Sequence, residues 1–264
     1  MVDEVNAEMG PANVEIFPGL EDLSRVAAAR FTELARERGR QGKGFTVALS
    51  GGEMGRALLE ALANPEFSQR IQWDSVQVFQ VDERCVPPED IQSNYRMIHE
   101  TLLRPVPGAA HNFHRMTAES DDLDAASAEY EAEIRSVLVP PEGALPRFDL
   151  VFMGLGPDGH TASLFPGSEA LDESRRWVCP NYVEKLHMYR MTLTYPVLNA
   201  AREIVFLVSG AGKADIVRQV LEGPRDPKQF PAQGIEPAEG ILNWYLDHAA
   251  AQLLRKGHAK RKSS

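Results

Sequence analysis

The densest group of chemistry-bearing side chains in the sequence is Asp158-Gly159-His160, which follows the apolar run Leu150-Val151-Phe152-Met153 and the glycines Gly154 and Gly156. A carboxylate two residues from an imidazole can face the same way in an extended turn. There it fixes the ring's tautomer and favours its charged form, the arrangement a general base needs. The nearby glycines allow the backbone angles required to aim such a side chain. A histidine that merely hydrogen-bonds its own loop is the plainer alternative.

Three more apolar runs end in useful groups: Ser50-Gly51-Gly52, Asp82-Glu83-Arg84 and Gly210-Ala211-Gly212-Lys213. Gly51-Gly52 at a strand-to-helix turn lets backbone N–H groups approach an anion at a helix N-terminus, or simply turns the chain. The second glycine turn adds the point charge of Lys213, and the two together point to phosphate binding. Arg84 would fix an anionic substrate group while Asp82 holds polar partners inside the cleft; an exposed polar turn is the competing reading. Neither glycine turn has the Walker spacing or the dinucleotide fingerprint, so nucleotide use is not indicated. His111 and His114 have no third ligand nearby and read as surface residues, not a metal site. Cys85 has no assigned base and reads as packing. The Gly-x-Ser-x-Gly elbow is absent, which disfavours a covalent serine route.

These groups must be positioned by alternating elements. Residues 20–37 carry Leu20, Leu23, Ala27, Phe31 and Leu34 at helical spacing, and Phe45 to Leu49 reads as a buried strand. A helix follows through Ala57–Leu62, then a strand over 76–81, a Ser93-capped helix, and a helix over 122–138. Strands at 150–153, 191–194 and 204–208 come next, then a helix to Leu221 and a last helix opened by Pro237 through Ile241, Leu242, Trp244, Tyr245 and Leu246. Strands apolar on both faces and separated by helices predict an α/β fold: a doubly wound, mostly parallel sheet with helices on both faces, modified Rossmann-like. In such sheets ligands bind beyond the carboxyl ends of the strands, where all four groups would meet. One domain over 15–252 is expected, with flexible termini at 1–14 and 253–264, and the 105–120 region fits an excursion, not a second domain.

The 264 residues suffice for a substantial core, and a formal net charge of −10 argues against a general nucleic-acid partner. The basic stretch Lys256–Lys262 reads as a soluble tail. Two widely separated cysteines, Cys85 and Cys179, fit a reducing compartment without disulfides. Residues 1–14 carry acids and no apolar run, so no signal peptide is expected, and no stretch approaches the roughly 18 apolar residues of a membrane span. A cytoplasmic protein with no membrane partner follows, as a monomer or small homo-oligomer.

On these residues the sequence resembles the 6-phosphogluconolactonases, within the larger group that includes glucosamine-6-phosphate deaminases. The likeness is carried by Ala48-Leu49-Ser50-Gly51-Gly52, by Val81-Asp82-Glu83-Arg84 with Ser93-Asn94-Tyr95, and by Gly154 to Gly167 including Asp158-Gly159-His160. Arg190 to Thr194 and Val208 to Ala214 complete it, in order over roughly 15–250. The resemblance implies hydrolysis of a phosphorylated sugar lactone without cofactor or metal. It also implies His160 as base supported by Asp158, Arg84 in the substrate site, and phosphate contacts at Gly51, Gly52, Arg190 and Lys213. Where the family continues Ser-Gly-Gly with Ser or Thr and then Pro, this chain has Glu53, Met54 and Gly55, and Glu53 would have to turn to solvent to spare a bound dianion. Two alternatives stand beside this reading: an amino-sugar-phosphate isomerase/deaminase using Asp82 and His160, and a non-catalytic phosphosugar sensor.

Overall fold

The computed structural model describes residues 13–255 and 259–261. Strand β1 (Asn13–Phe17) leads into α1 (Leu20–Arg40), and β2 (Phe45–Leu49) into α2 (Gly52–Ala63) and the single-turn α3 (Pro65–Ser68). Next come β3 (Val76–Gln80), β4 (Asp82–Arg84) and α4 (Asn94–Ile98), which continues as a π-helical turn through His99–Leu103. Helix α5 (Pro107–Ala110), β5 (Phe113–His114) and α6 (Leu123–Leu138) follow. The second half holds β6 (Leu150–Gly154), β7 (Val178–Val183), β8 (Met188–Leu193), α7 (Tyr195–Asn199), β9 (Glu203–Val208), α8 (Ala214–Glu222), β10 (Ile241–Asp247) and β11 (Ala259–Arg261).

Eight strands form a parallel sheet in the order β11-β1-β10-β9-β6-β2-β3-β5. Their side chains alternate between two apolar layers, the period-2 consequence of the pleat. On β2, Phe45, Val47 and Leu49 join Leu23 and Phe31 of α1 and Leu58 of α2, whereas Ala48 faces the layer of Tyr130 and Ile134 of α6 and Val217 of α8. The helices cover both faces, as the alternation of elements predicted. From β2 the chain winds outward to β3, then returns to place β6 on the other side of β2, so the order reverses between β2 and β6. That reversal opens a crevice at the carboxyl ends, where open α/β sheets bind ligands.

The last helix expected from sequence is instead strand β10, held between β1 and β9. Ile241, Leu242, Tyr245 and Leu246 do stand at helical spacing, but a six-residue stretch with five apolar positions is too short to distinguish a helix from a buried strand. Tyr245 enters one layer while Trp244 and Leu246 enter the other. Gly240 permits the entry: a Cβ there would lie 2.3 Å from the carbonyl oxygen of Ala201. A second, antiparallel sheet of order β4-β8-β7 was not anticipated. Strand β4 reads Asp-Glu-Arg, without an apolar pattern, and β7 contains Pro180, tolerated because β7 is an edge strand.

At the margins, β5 makes the 105–120 region part of the main sheet, and residues 13–14 and 259–261 pair as strands although the sequence suggested flexible termini. The remainder of those termini, residues 1–12, 256–258 and 262–264, lies outside the described residues. No helix among the described residues is long and apolar enough to cross a membrane.

Candidate active site

A cleft of about 240 Å³ opens at the carboxyl ends of the adjacent strands β9, β6, β2 and β3. Ser50, Gly51, Gly52, Asp82, Arg84, His160, Arg190 and Lys213 all line it. Of the residues expected there, Asp158 alone stands back, behind the imidazole of His160.

Asp158 Oδ1 lies 2.5 Å from His160 Nδ1 and also accepts the His160 backbone N–H at 3.2 Å. Because a carboxylate only accepts, Nδ1 carries the proton and Nε2 keeps its lone pair. No side-chain hydrogen bond among the described residues involves Nε2. The ring stacks on buried Phe165 with centroids 4.0 Å apart. On its Nδ1 side it presses against the backbone, so that a Cβ on Gly156 would come within 1.9 Å of Nδ1. The loop closes through Gly156 N–H to the His160 carbonyl at 2.8 Å. Beyond the imidazole, Ala162 takes a left-handed φ of 51°, a strained angle for a residue with a Cβ. It is held there by Thr161, whose hydroxyl donates to the Gly154 carbonyl, and by Ser163, whose hydroxyl donates to Asp82 Oδ2 at 2.7 Å.

Burial pushes the imidazole down to about 4, and Arg190, Lys213 and Arg84 push the same way against Asp82. The sequence spacing suggested that Asp158 would favour the charged ring. The neutral form wins because the ring is buried and faces Arg190, Lys213 and Arg84; Asp158 itself is paired through Oδ2 with Lys185 Nζ. A neutral imidazole with a free Nε2 is the form that can take a proton.

The cations are arranged to receive an anion. Arg84 and Arg190 are directly opposite in the β4–β8 ladder, and neither forms an ion pair within 4 Å among the described residues. The Nε of each is buried without a hydrogen-bond partner. Like charges placed opposite one another on a sheet repel, an arrangement that an anion relieves. Lys213 donates to the Leu155 carbonyl at 2.6 Å, tying its loop to the His160 loop, and burial lowers its ammonium below the usual lysine range. Asp247 secures the same loop by accepting from Ser209 Oγ at 2.6 Å and from Gly210 N–H.

Gly51 is required by a close approach: a Cβ there would meet Asn94 Oδ1 at 1.8 Å. Asn94 in turn donates to the Asp82 carbonyl at 2.8 Å, so the glycine turn and β4 are joined through one buried amide. Gly52 takes a φ of 79° and begins α2, whose first turn carries Glu53. Glu53 is exposed as the sequence required, yet still lines the cleft, where its charge favours the ammonium form of Lys213. Glu83, between Asp82 and Arg84, is structural. Its buried carboxylate accepts from the backbone N–H groups of Asn94 and Tyr95, each at 2.7 Å, and so clamps α4 to β4.

Lys185, Phe165, Ser163 and Asn94 were not singled out as site residues by sequence. Phe165, Ser163 and Asn94 did fall inside the quoted motifs, whereas Lys185 sits in a turn with no pattern of its own. His114 is not the surface residue expected: it packs on Phe79 at 4.1 Å, with Nε2 2.8 Å from Gln77 and Nδ1 2.6 Å from Glu133. His111 is exposed. Burial pushes the Cys85 thiol up to about 12, which leaves it a packing residue. No group of three or more His, Cys, Asp or Glu side chains among the described residues is placed to hold a metal ion.

An α/β protein with a carboxyl-edge cleft that sets an imidazole beside unpaired cations belongs to the class built to handle small anionic molecules. Residues 18–244 match the family model for glucosamine-6-phosphate isomerases/6-phosphogluconolactonase, and the chain belongs to that family. The curated 6-phosphogluconolactonase of Synechocystis sp. is 39% identical over 226 residues, covering 86% of this chain and 90% of that one. The solved 6-phosphogluconolactonase of Leishmania guyanensis superposes with a TM-score of 0.80 at 29% identity, over 92% of this chain and 99% of its own. That of Trypanosoma brucei does so with a TM-score of 0.82 at 26% identity, over 94% and 100%.

Proposed function

We propose that this protein hydrolyses 6-phospho-D-glucono-1,5-lactone to 6-phospho-D-gluconate, the lactonase step of the pentose phosphate pathway, by general-base activation of water. The observation that carries the reading is the imidazole of His160, held at Nδ1 by Asp158 and with no side-chain hydrogen bond at Nε2 among the described residues, in the same cleft as Arg84, Arg190 and Lys213. The named relatives and the family support it.

In this reading the Gly51-Gly52 turn, Arg190 and Lys213 hold the phosphate, and this remote binding energy orients the lactone. His160 Nε2 removes a proton from water as its oxygen attacks C1. The C1–ring oxygen bond then breaks, and the departing oxygen takes the proton back from Nε2. Asp158 keeps Nδ1 protonated throughout, and Arg84 stabilises the oxyanion that forms at C1. Asp82 keeps the turn after His160 in place through Ser163.

The test is a coupled assay on freshly generated lactone, with spontaneous hydrolysis subtracted. Wild type should turn over, and His160→Ala should lose at least ~10²-fold in kcat with its fold intact. Near-normal turnover by that variant would end the assignment of the base. Ammonia release from glucosamine 6-phosphate would favour the deaminase alternative, and thermal stabilisation by phosphosugar without turnover the sensor.

A further inference from the structure

Lys185 belongs to the 3₁₀ turn Glu184–Leu186 that joins β7 to β8, and the next residue, His187, adopts a left-handed φ of 47°. The same hairpin therefore carries both Arg190, which lines the cleft, and Lys185, which does not. Lys185 Nζ pairs with Asp158 Oδ2, while Oδ1 of the same carboxylate holds His160 Nδ1. The ammonium also stands 4.8 Å from the centre of the Phe165 ring on which His160 stacks. Lys185 thus reaches the imidazole by two routes, through the carboxylate and through the ring, without touching it.

We infer that Lys185 is a positioning residue for the His160–Asp158 pair, fixing the carboxylate on Nδ1 and offsetting its charge so that the imidazole stays neutral and in place. The inference rests on His160 being the base. The direction follows from simple electrostatics. An unpaired Asp158 would favour the imidazolium; a cation on its second oxygen cancels part of that pull. The other charges facing His160 are Asp82 and Arg84 from β4, Arg190 from β8 and Lys213 from the loop before α8. Of these, Arg190 also acts on Lys185 as a like charge. The ammonium is half-exposed, so its effect is discounted for solvent screening.

The test compares full-length wild type, Lys185→Met and Lys185→Arg in two measurements: the pH dependence of kcat on the phosphorylated lactone, and NMR titration of the His160 imidazole without substrate. Lys185→Met should move the acidic limb of kcat and the imidazole titration upward together, by about one pH unit. KM should be unchanged, and Lys185→Arg should restore the wild-type profile. An unmoved titration in Lys185→Met overturns the inference, as does a rise in KM with an unmoved limb, which would make Lys185 a substrate contact. The NMR arm separates the two failures: if His160→Ala retains turnover the base assignment falls, while the titration still decides whether Lys185 governs the imidazole.

Discussion

Replacing Gly156 by alanine places one methyl group against the ring of the proposed base. The new Cβ would lie 1.9 Å from His160 Nδ1, 2.1 Å from Cε1 and 2.6 Å from Cγ. To reach an ordinary contact the imidazole or its loop must give by about 1.5 Å, and a misplacement near 1 Å can cost about 10²-fold in rate. The ring has no easy retreat, because Phe165 stacks on it and Asp158 holds Nδ1. Gly156 does not have a positive φ, so its backbone accepts alanine and the conflict is steric and local. The loss expected in kcat is therefore about 10²-fold, or about 2.7 kcal/mol in the barrier, with KM much less affected because the phosphate groups are untouched. Gly154→Ala is the control: its Cβ meets nothing within 4 Å, and kcat should be largely retained. Steady-state kinetics on freshly made lactone reads both. A Gly156→Ala enzyme with wild-type kcat would show that the position of this ring does not set the rate.

Three further outcomes follow from the electrostatics. The His160 ring, lowered from its ordinary 6.5 to about 4, stays neutral in the folded state while the unfolded chain protonates, so stability falls as pH drops from about 6.5 toward 4. His160→Gln, which cannot titrate, should gain stability relative to wild type across that window and show no such gain above it, as read by denaturant titration at stepped pH. Arg190→Met removes one of two opposed cations and should raise the Tm of the unliganded protein slightly, for a contribution of about 0.2–1 kcal/mol, while sharply raising KM. Glu53→Ser removes a like charge from the cleft and should lower KM for the phosphorylated lactone, by a margin that shrinks as salt is added.

The central strands were legible because they are buried on both faces and read as unbroken apolar runs. The four groups at their ends were legible because a parallel sheet sends its carboxyl ends to one edge. What failed was local. Ile241 to Leu246 is too short to reveal its period, and β4 and β7 owe their existence to pairing with β8, not to any pattern of their own. Seeing Arg84 opposite Arg190 required that pairing, since 105 intervening positions separate them in sequence. The charge state of His160 was misjudged for a similar reason. The spacing to Asp158 is visible in the sequence, but the burial of the ring beside Arg84, Arg190 and Lys213 is a product of the fold.

The most direct test of the account is the structure of this protein bound to 6-phosphogluconate, the product of the proposed reaction. Its C1 carboxylate should lie within hydrogen-bond reach of His160 Nε2, with the phosphate on the Gly51-Gly52 turn, Arg190 and Lys213. A sugar bound in the opposite sense, with phosphate at the imidazole and C1 away from it, or bound outside the cleft, would contradict the account.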